Sequence, residues 1–200
     1  MKPSSVSIGI DLGHSSVKIA VKAAKKSALF NSTNIFPTVV RNWTAIANQE
    51  TAQKAVADTV EIGGKKFFIG LTAQLQGQAE NYSGQSRNWI QSEQHDALLL
   101  GAWNRAMRIL AENDMAEPTN ISLVLGLPAS YYADQRGALR ARAVSLLAHK
   151  MSEHQQLQIF VESQSRAPLL CVAFDAQGTE TGRAGEDESW GVVEIGHYTT

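Results

Sequence analysis

The sequence predicts an α/β domain in which a central mixed sheet is flanked by helices and a small subdomain is inserted, and three observations predict it. The chain opens on two strand-like segments joined by a tight turn, which is a hairpin and not a crossover. From Ser92 onward, apolar strands alternate with amphipathic helices, the pattern of parallel strands covered by helices. Between these parts, residues 35–92 show only short strand signals and polar connections, so they read as an insertion.

Each element has a local reason. VSIGIDL from Val6 to Leu12 is a buried strand, Gly13 and His14 begin a turn, and SVKIAV from Ser16 to Val21 alternates as its partner. A third short strand is expected from Ala28 to Asn31, with Phe36 and Pro37 marking a change of character. Within the insertion, TVV and DTVEI look like strands, and Gly63 and Gly64 form a hairpin turn into KFFIG. The following LQGQAENYSGQSRN is polar and contains glycine and serine, the composition of a surface loop.

In the helical part, Leu98, Leu99, Ala102, Trp103, Ala106, Ile109 and Leu110 recur at three- and four-residue spacing. An apolar strand from Ile121 to Leu127 ends at Pro128. A second helix then places Leu139, Ala143, Leu146 and Leu147 on one face. LQIFVE at 157–162 is the next strand, a helix with proline in its first turn runs from about Pro168 to Phe174, and WGVVEIG at 190–196 is the last strand. This divides the chain into a main subdomain of residues 1–34 and 93–200 and an inserted subdomain of residues 35–92.

Composition narrows the function. With 44% apolar and 18% charged residues the chain is an ordinary globular sequence, so disorder is not the default. Eighteen basic against nineteen acidic residues give a net charge of -1, which argues against direct binding of nucleic acid through a positive field. Trp43, Trp89, Trp103 and Trp190 are scattered and read as packing residues, not a base-stacking platform. The single Cys171 has no disulfide partner within the chain and is expected to face a core, which fits a reducing cytoplasm. No apolar run reaches membrane-spanning length, and no membrane partner is expected. Arg136, Arg140, Arg142 and Lys150 read as the solvated face of a helix, with a partner-binding strip as the alternative.

The chemistry concentrates in IGIDLGHSSVKIAV. A carboxylate at the end of a buried strand needs a partner, and Asp11 suits a hydrated magnesium ion. Gly13 permits a tight turn, the backbone and hydroxyl groups around His14, Ser15 and Ser16 offer donors to phosphate oxygens, and Lys18 adds a positive charge. An ordinary hairpin with a polar turn is the competing reading. VVEIGHYTT at 192–200 repeats the order of acid, apolar residue, glycine, histidine and hydroxyl residues, so two such turns would grip a polyphosphate from opposite sides.

On these two segments the chain resembles the actin superfamily, with IDLGHSSVKI as its first phosphate loop and VEIGHYTT as its second. Through LVLGLPASYY and VESQSRAPLLCVAF it is most similar to plasmid segregation proteins of the ParM/StbA type. The resemblance implies an actin-like, ribonuclease H-like N-terminal lobe, with the second lobe following beyond Thr200. It implies ATP, or GTP, with Mg2+ as cofactors. Asp11 and Glu194 would hold the metal through water; Gly13, His14, Ser15, Ser16, Lys18, Gly196, His197 and Thr199 would contact phosphate; and Glu162 would position the attacking water. Without the resemblance, Glu162 reads as a surface acid at a strand end. Glu194 stands where the family usually has aspartate, and His14 and His197 replace small or hydroxyl residues.

The implied function is a cytoplasmic ATPase that stacks head to tail into filaments and is joined to plasmid DNA by a DNA-bound adaptor protein. A small-molecule kinase of the same superfamily and a non-hydrolysing scaffold of division or pilus assembly are the alternatives. The isolated lobe is expected to bind ATP weakly, because half the phosphate contacts and all the base contacts are missing.

Overall fold

The computed structural model describes residues 5–25, 28–77, 87–115, 117–183 and 189–192. A five-stranded sheet has the order β3-β2-β1-β7-β8, built from β1 (Ser5–Leu12), β2 (Ser16–Lys25), β3 (Ala28–Pro37), β7 (Asn120–Leu127) and β8 (Gln156–Ser163). The sheet is mixed: β1, β2 and β3 form an antiparallel meander, whereas β7 and β8 join β1 in parallel. The fold class expected from the sequence is therefore present. A second sheet, of order β4-β6-β5, contains β4 (Val40–Asn42), β5 (Thr59–Ile62) and β6 (Lys65–Ile69).

Strand alternation decides which face of the large sheet is buried. Val6, Ile8 and Ile10 of β1, Val17, Ile19 and Val21 of β2, and Ile121, Leu123, Leu125 and Leu127 of β7 all point into the core. Two helices cover that face. The apolar stripe of α3 (Glu93–Glu112), including Leu98, Leu99, Ala102, Trp103, Ala106 and Leu110, packs on β1 and β2. Leu139, Ala143 and Leu147 of α4 (Ala129–Leu147) pack toward β7 and β8. Ser92 starts α3 by accepting a hydrogen bond from the His95 N–H at 3.1 Å.

Helix α3 also carries the small sheet, because Val60, Phe67 and Ile69 belong to the same core as the large sheet. Phe68 points the other way, into a separate cluster with Ala55 of α1 (Gln49–Ala55) and Ala73 of α2 (Gly70–Leu75). The Gly63-Gly64 turn has φ of 57° and 79°, the left-handed geometry that a two-residue hairpin requires and that glycine adopts without strain. At the joint between the sheets, Arg105 of α3 lies 4.3 Å over the Phe36 ring, donates to Asn34 at 3.2 Å and pairs with Asp58. Asp58 also accepts from the Thr72 hydroxyl at 2.9 Å.

Several expectations change. The third strand extends to Pro37: the polar residues Ser32, Thr33 and Asn34 continue an edge strand that has one wet face. The stretch expected to be a loop after KFFIG begins inside α2, and residues 78–86 lie outside the described part. Residues 190–192 form no strand, and residues 193–200 lie outside the described part. Cys171 is exposed and not in a core, because α5 (Arg166–Ala173) packs at the solvent-facing edge beside β8. Trp103 is a packing residue at 2% exposure, but Trp43 and Trp190 are about half exposed.

Arg142 also departs from a solvated helix face. Its guanidinium forks onto buried Asp96 of α3, with Nε to Oδ1 at 2.6 Å and Nη2 to Oδ2 at 2.7 Å. Burial pushes the Asp96 carboxyl up, but the neighbouring His95 imidazole and the Arg142 guanidinium outweigh it and hold that carboxyl below its ordinary value. Among the described residues no helix is long and apolar enough to cross a membrane.

Candidate functional site

The register places five residues in one row across the large sheet. Lys18 of β2 lies opposite Asp11 of β1 and opposite Ile35 of β3. On the other side of β1, Asp11 follows the Ile10–Leu125 pair and therefore stands beside Gly126, which is opposite Glu162 of β8. With strands about 4.8 Å apart, the backbones of Asp11 and Glu162 are two strands, or roughly 10 Å, from each other. All five residues line one cleft of about 800 Å3 on the sheet face away from α3 and α4. The next row, Ala20, Gly9 and Val124, gives this cleft a shallow apolar floor.

The cleft sits at the carboxyl ends of the parallel strands β1, β7 and β8, where chains leave an open α/β sheet and backbone groups face a ligand. Asp11 is held from two sides. Its Oδ2 accepts from Lys18 Nζ at 3.1 Å, and its Oδ1 accepts from Gln164 Nε2 at 2.6 Å. Each carboxylate oxygen has a second lone pair and the lysine ammonium has further N–H donors, so both groups keep capacity for a ligand. Glu162, at the end of β8, accepts from Nη1 of Arg166, the first residue of α5, at 3.1 Å. Beside it the hydroxyls of Ser163 and Ser165 are 2.8 Å apart.

The turn after Asp11 is built for close packing. A Cβ on Gly13 would stand 2.8 Å from the Ser16 carbonyl oxygen, a distance that no side chain tolerates. Thr38 fixes the outside of that turn: its hydroxyl donates to the Gly13 carbonyl at 2.6 Å and its N–H donates to the Ser15 carbonyl at 3.1 Å. Gly13, His14, Ser15 and Ser16 thus occupy one pinned turn immediately beyond the row that holds Asp11, Lys18 and Glu162. Glu194, Gly196, His197 and Thr199 lie outside the described residues.

Two participants have no signal in the sequence. Thr38 follows Pro37 in a stretch of mixed character, and Gln164, although inside VESQSRAPLLCVAF, carries no sign there of a role at the site; their side-chain hydrogen bonds to Gly13 and Asp11 reveal it. A hydrated magnesium ion fits this donor set. Among the described residues no group of three or more His, Cys, Asp or Glu side chains is placed to cage a metal. One carboxylate suffices for Mg2+ where phosphate and water complete its shell.

The sequence of residues 9–164 matches the family described as Actin like proteins N terminal domain. No functionally curated protein matches the chain. Among solved structures, the apo ParM protein of psk41 is similar with a TM-score of 0.56 at 11% identity, over 89% of this chain and 55% of that one. The present chain thus spans about half the length of that ParM chain. Two structures of the Aquifex aeolicus Ppx/GppA family correspond more loosely. Their TM-scores are 0.36 and 0.32 at 13% and 14% identity, over 82% and 86% of this chain and 38% and 40% of theirs.

A mixed sheet opened by a meander, with a polar row at the carboxyl ends of its parallel strands, is the architecture of an actin-like lobe. The chain belongs to the actin-like protein N-terminal domain family.

Proposed function

We propose that this chain is the nucleotide-binding N-terminal lobe of an actin-like ATPase whose filaments move plasmid DNA. The observation that carries the reading is the row of Lys18, Asp11, Gly126 and Glu162 in one cleft, directly below the pinned Gly13 turn. The family match and the likeness to ParM support it.

In this reading Asp11 holds Mg2+ through water. Gly13, His14, Ser15 and Ser16 line the β- and γ-phosphates, and Lys18 contacts a phosphate oxygen. The metal, when bound, neutralises charge on the phosphates of ATP or GTP. Glu162 accepts a hydrogen bond from a water and aims it at phosphorus, which a carboxylate 37% exposed at a strand end is free to do. Glu194 holds the same metal through water, and Gly196, His197 and Thr199 of the second phosphate loop contact phosphate. The inserted subdomain is residues 35–92, and the main subdomain is residues 1–34 and 93–200.

The protein works in the cytoplasm, closes around nucleotide and stacks head to tail, a contact that propagates because it does not close on itself. A DNA-bound adaptor makes the link to plasmid, in keeping with a net charge of -1. The test is phosphate release and light scattering by the full-length protein with Mg-ATP or Mg-GTP across a range of protein concentrations. Both signals should rise above a shared threshold concentration. Sugar-dependent ADP production without scattering would identify a kinase instead, and scattering without phosphate release would identify a non-hydrolysing scaffold.

A further inference from the structure

We infer that Gln164 is the positioning residue for the Asp11 carboxylate and sets the affinity of the site for metal-bound nucleotide. The inference rests on the nucleotide reading above and deepens it. Gln164 leaves β8 two residues after Glu162, and its backbone is fixed at both ends. Its N–H donates to the Leu127 carbonyl at 2.8 Å, and its carbonyl accepts from the Ala167 N–H at 3.2 Å, at the start of α5. The side chain then crosses above β7 and donates to Asp11 Oδ1 at 2.6 Å.

Gly126 leaves room for that crossing. A Cβ at position 126 would lie 3.1 Å from Gln164 Cγ, 3.6 Å from Nε2 and 3.7 Å from Asp11 Oδ1. The missing side chain is the space through which the amide reaches the carboxylate. Lys18 holds the other oxygen at 3.1 Å, but from a side chain 58% exposed and on a flexible stem. The amide is half-buried and its backbone is tied down, so it is the donor that fixes the plane of the carboxylate. An outer hydrogen bond that orients a metal-binding carboxylate typically changes metal affinity by about 10–100-fold. The same bond joins Asp11 to α5, whose Ala167, Pro168 and Cys171 form a wall of the cleft.

The experiment measures ATP affinity of the full-length protein by calorimetry, below any assembly threshold, in Mg2+ and again in EDTA. Wild type is compared with Gln164→Met, which keeps length without an N–H, with Gly126→Ala, which presses on the Gln164 stem at Cγ, and with the double variant. The expected result is a loss of about 10–100-fold in Mg2+ for Gln164→Met and a smaller loss for Gly126→Ala. Affinity in EDTA should be unchanged, and the double variant should be no weaker than the weaker single one. Equal losses in Mg2+ and EDTA, additive losses, or no loss with Gln164→Met would each overturn the inference while leaving the nucleotide reading in place. A wild type whose ATP binding is absent, or indifferent to Mg2+, would overturn both.

Discussion

Asp96 is the residue whose charge is most tightly bound into the fold. It is 7% exposed, and Arg142 grips both of its oxygens. Because its folded carboxyl titrates below the ordinary value, it contributes stability that is fully present above the unfolded value of about 3.9. That contribution is lost as pH falls through the lower, folded value. Urea denaturation of wild type and Asp96→Asn should therefore differ by a constant amount from pH 7 to about pH 5, with the gap narrowing below about pH 4. A gap that widened in acid would contradict this. Arg142→Met should cost about 2–4 kcal/mol at pH 7, toward the low end for a buried pair because the arginine keeps a third of its surface in water. This pair was illegible in the sequence, where an arginine on a mostly polar helix looks solvated; so was the exposure of Cys171, whose apolar neighbours Leu170 and Val172 suggest a core.

Among the elements, those with a strong period were legible. The 3.6-residue stripe of α3 and the apolar runs of β1, β7 and β8 need only one buried face each, and the sequence states which residues lie on it. Elements without a stripe were not legible. Helix α1 is a polar seven-residue segment, stabilised by the Asn48 side chain accepting from the Thr51 N–H at 2.8 Å and by a Glu50–Lys54 pair at 2.6 Å. The outer half of β3 is polar because it lies on an edge, so only its pairing with β2 identifies it. The contact between α3 and the small sheet makes a prediction at this scale. A Cβ on Gly101 would stand 1.9 Å from the Ile69 Cδ1, and Ile69 is fully buried. Gly101→Ala should gain about 1 kcal/mol of helix propensity but lose about 1–3 kcal/mol to overpacking, for a net loss of stability. Thermal unfolding with a raised midpoint would contradict it.

At the scale of the whole molecule, the site is a product of convergence. Hairpin and crossover strands enter the sheet from different parts of the chain, yet they deliver Lys18, Asp11 and Glu162 to one row. The sequence names these residues through their resemblance to a family, but only the parallel register of β1, β7 and β8 brings Glu162 within two strands of Asp11 and three of Lys18. Gln164 and Thr38 stayed hidden because their roles depend on contacts between distant segments, which no local spacing encodes. The most direct measurement of that convergence is paramagnetic broadening of backbone amide signals when the full-length protein is titrated with Mn-ATP. The amides of Gly13, His14, Ser15, Ser16 and Glu162 should broaden first and together, and Asp11→Asn should abolish the effect. Broadening centred on another face of the lobe, or the same broadening in Asp11→Asn, would contradict the site.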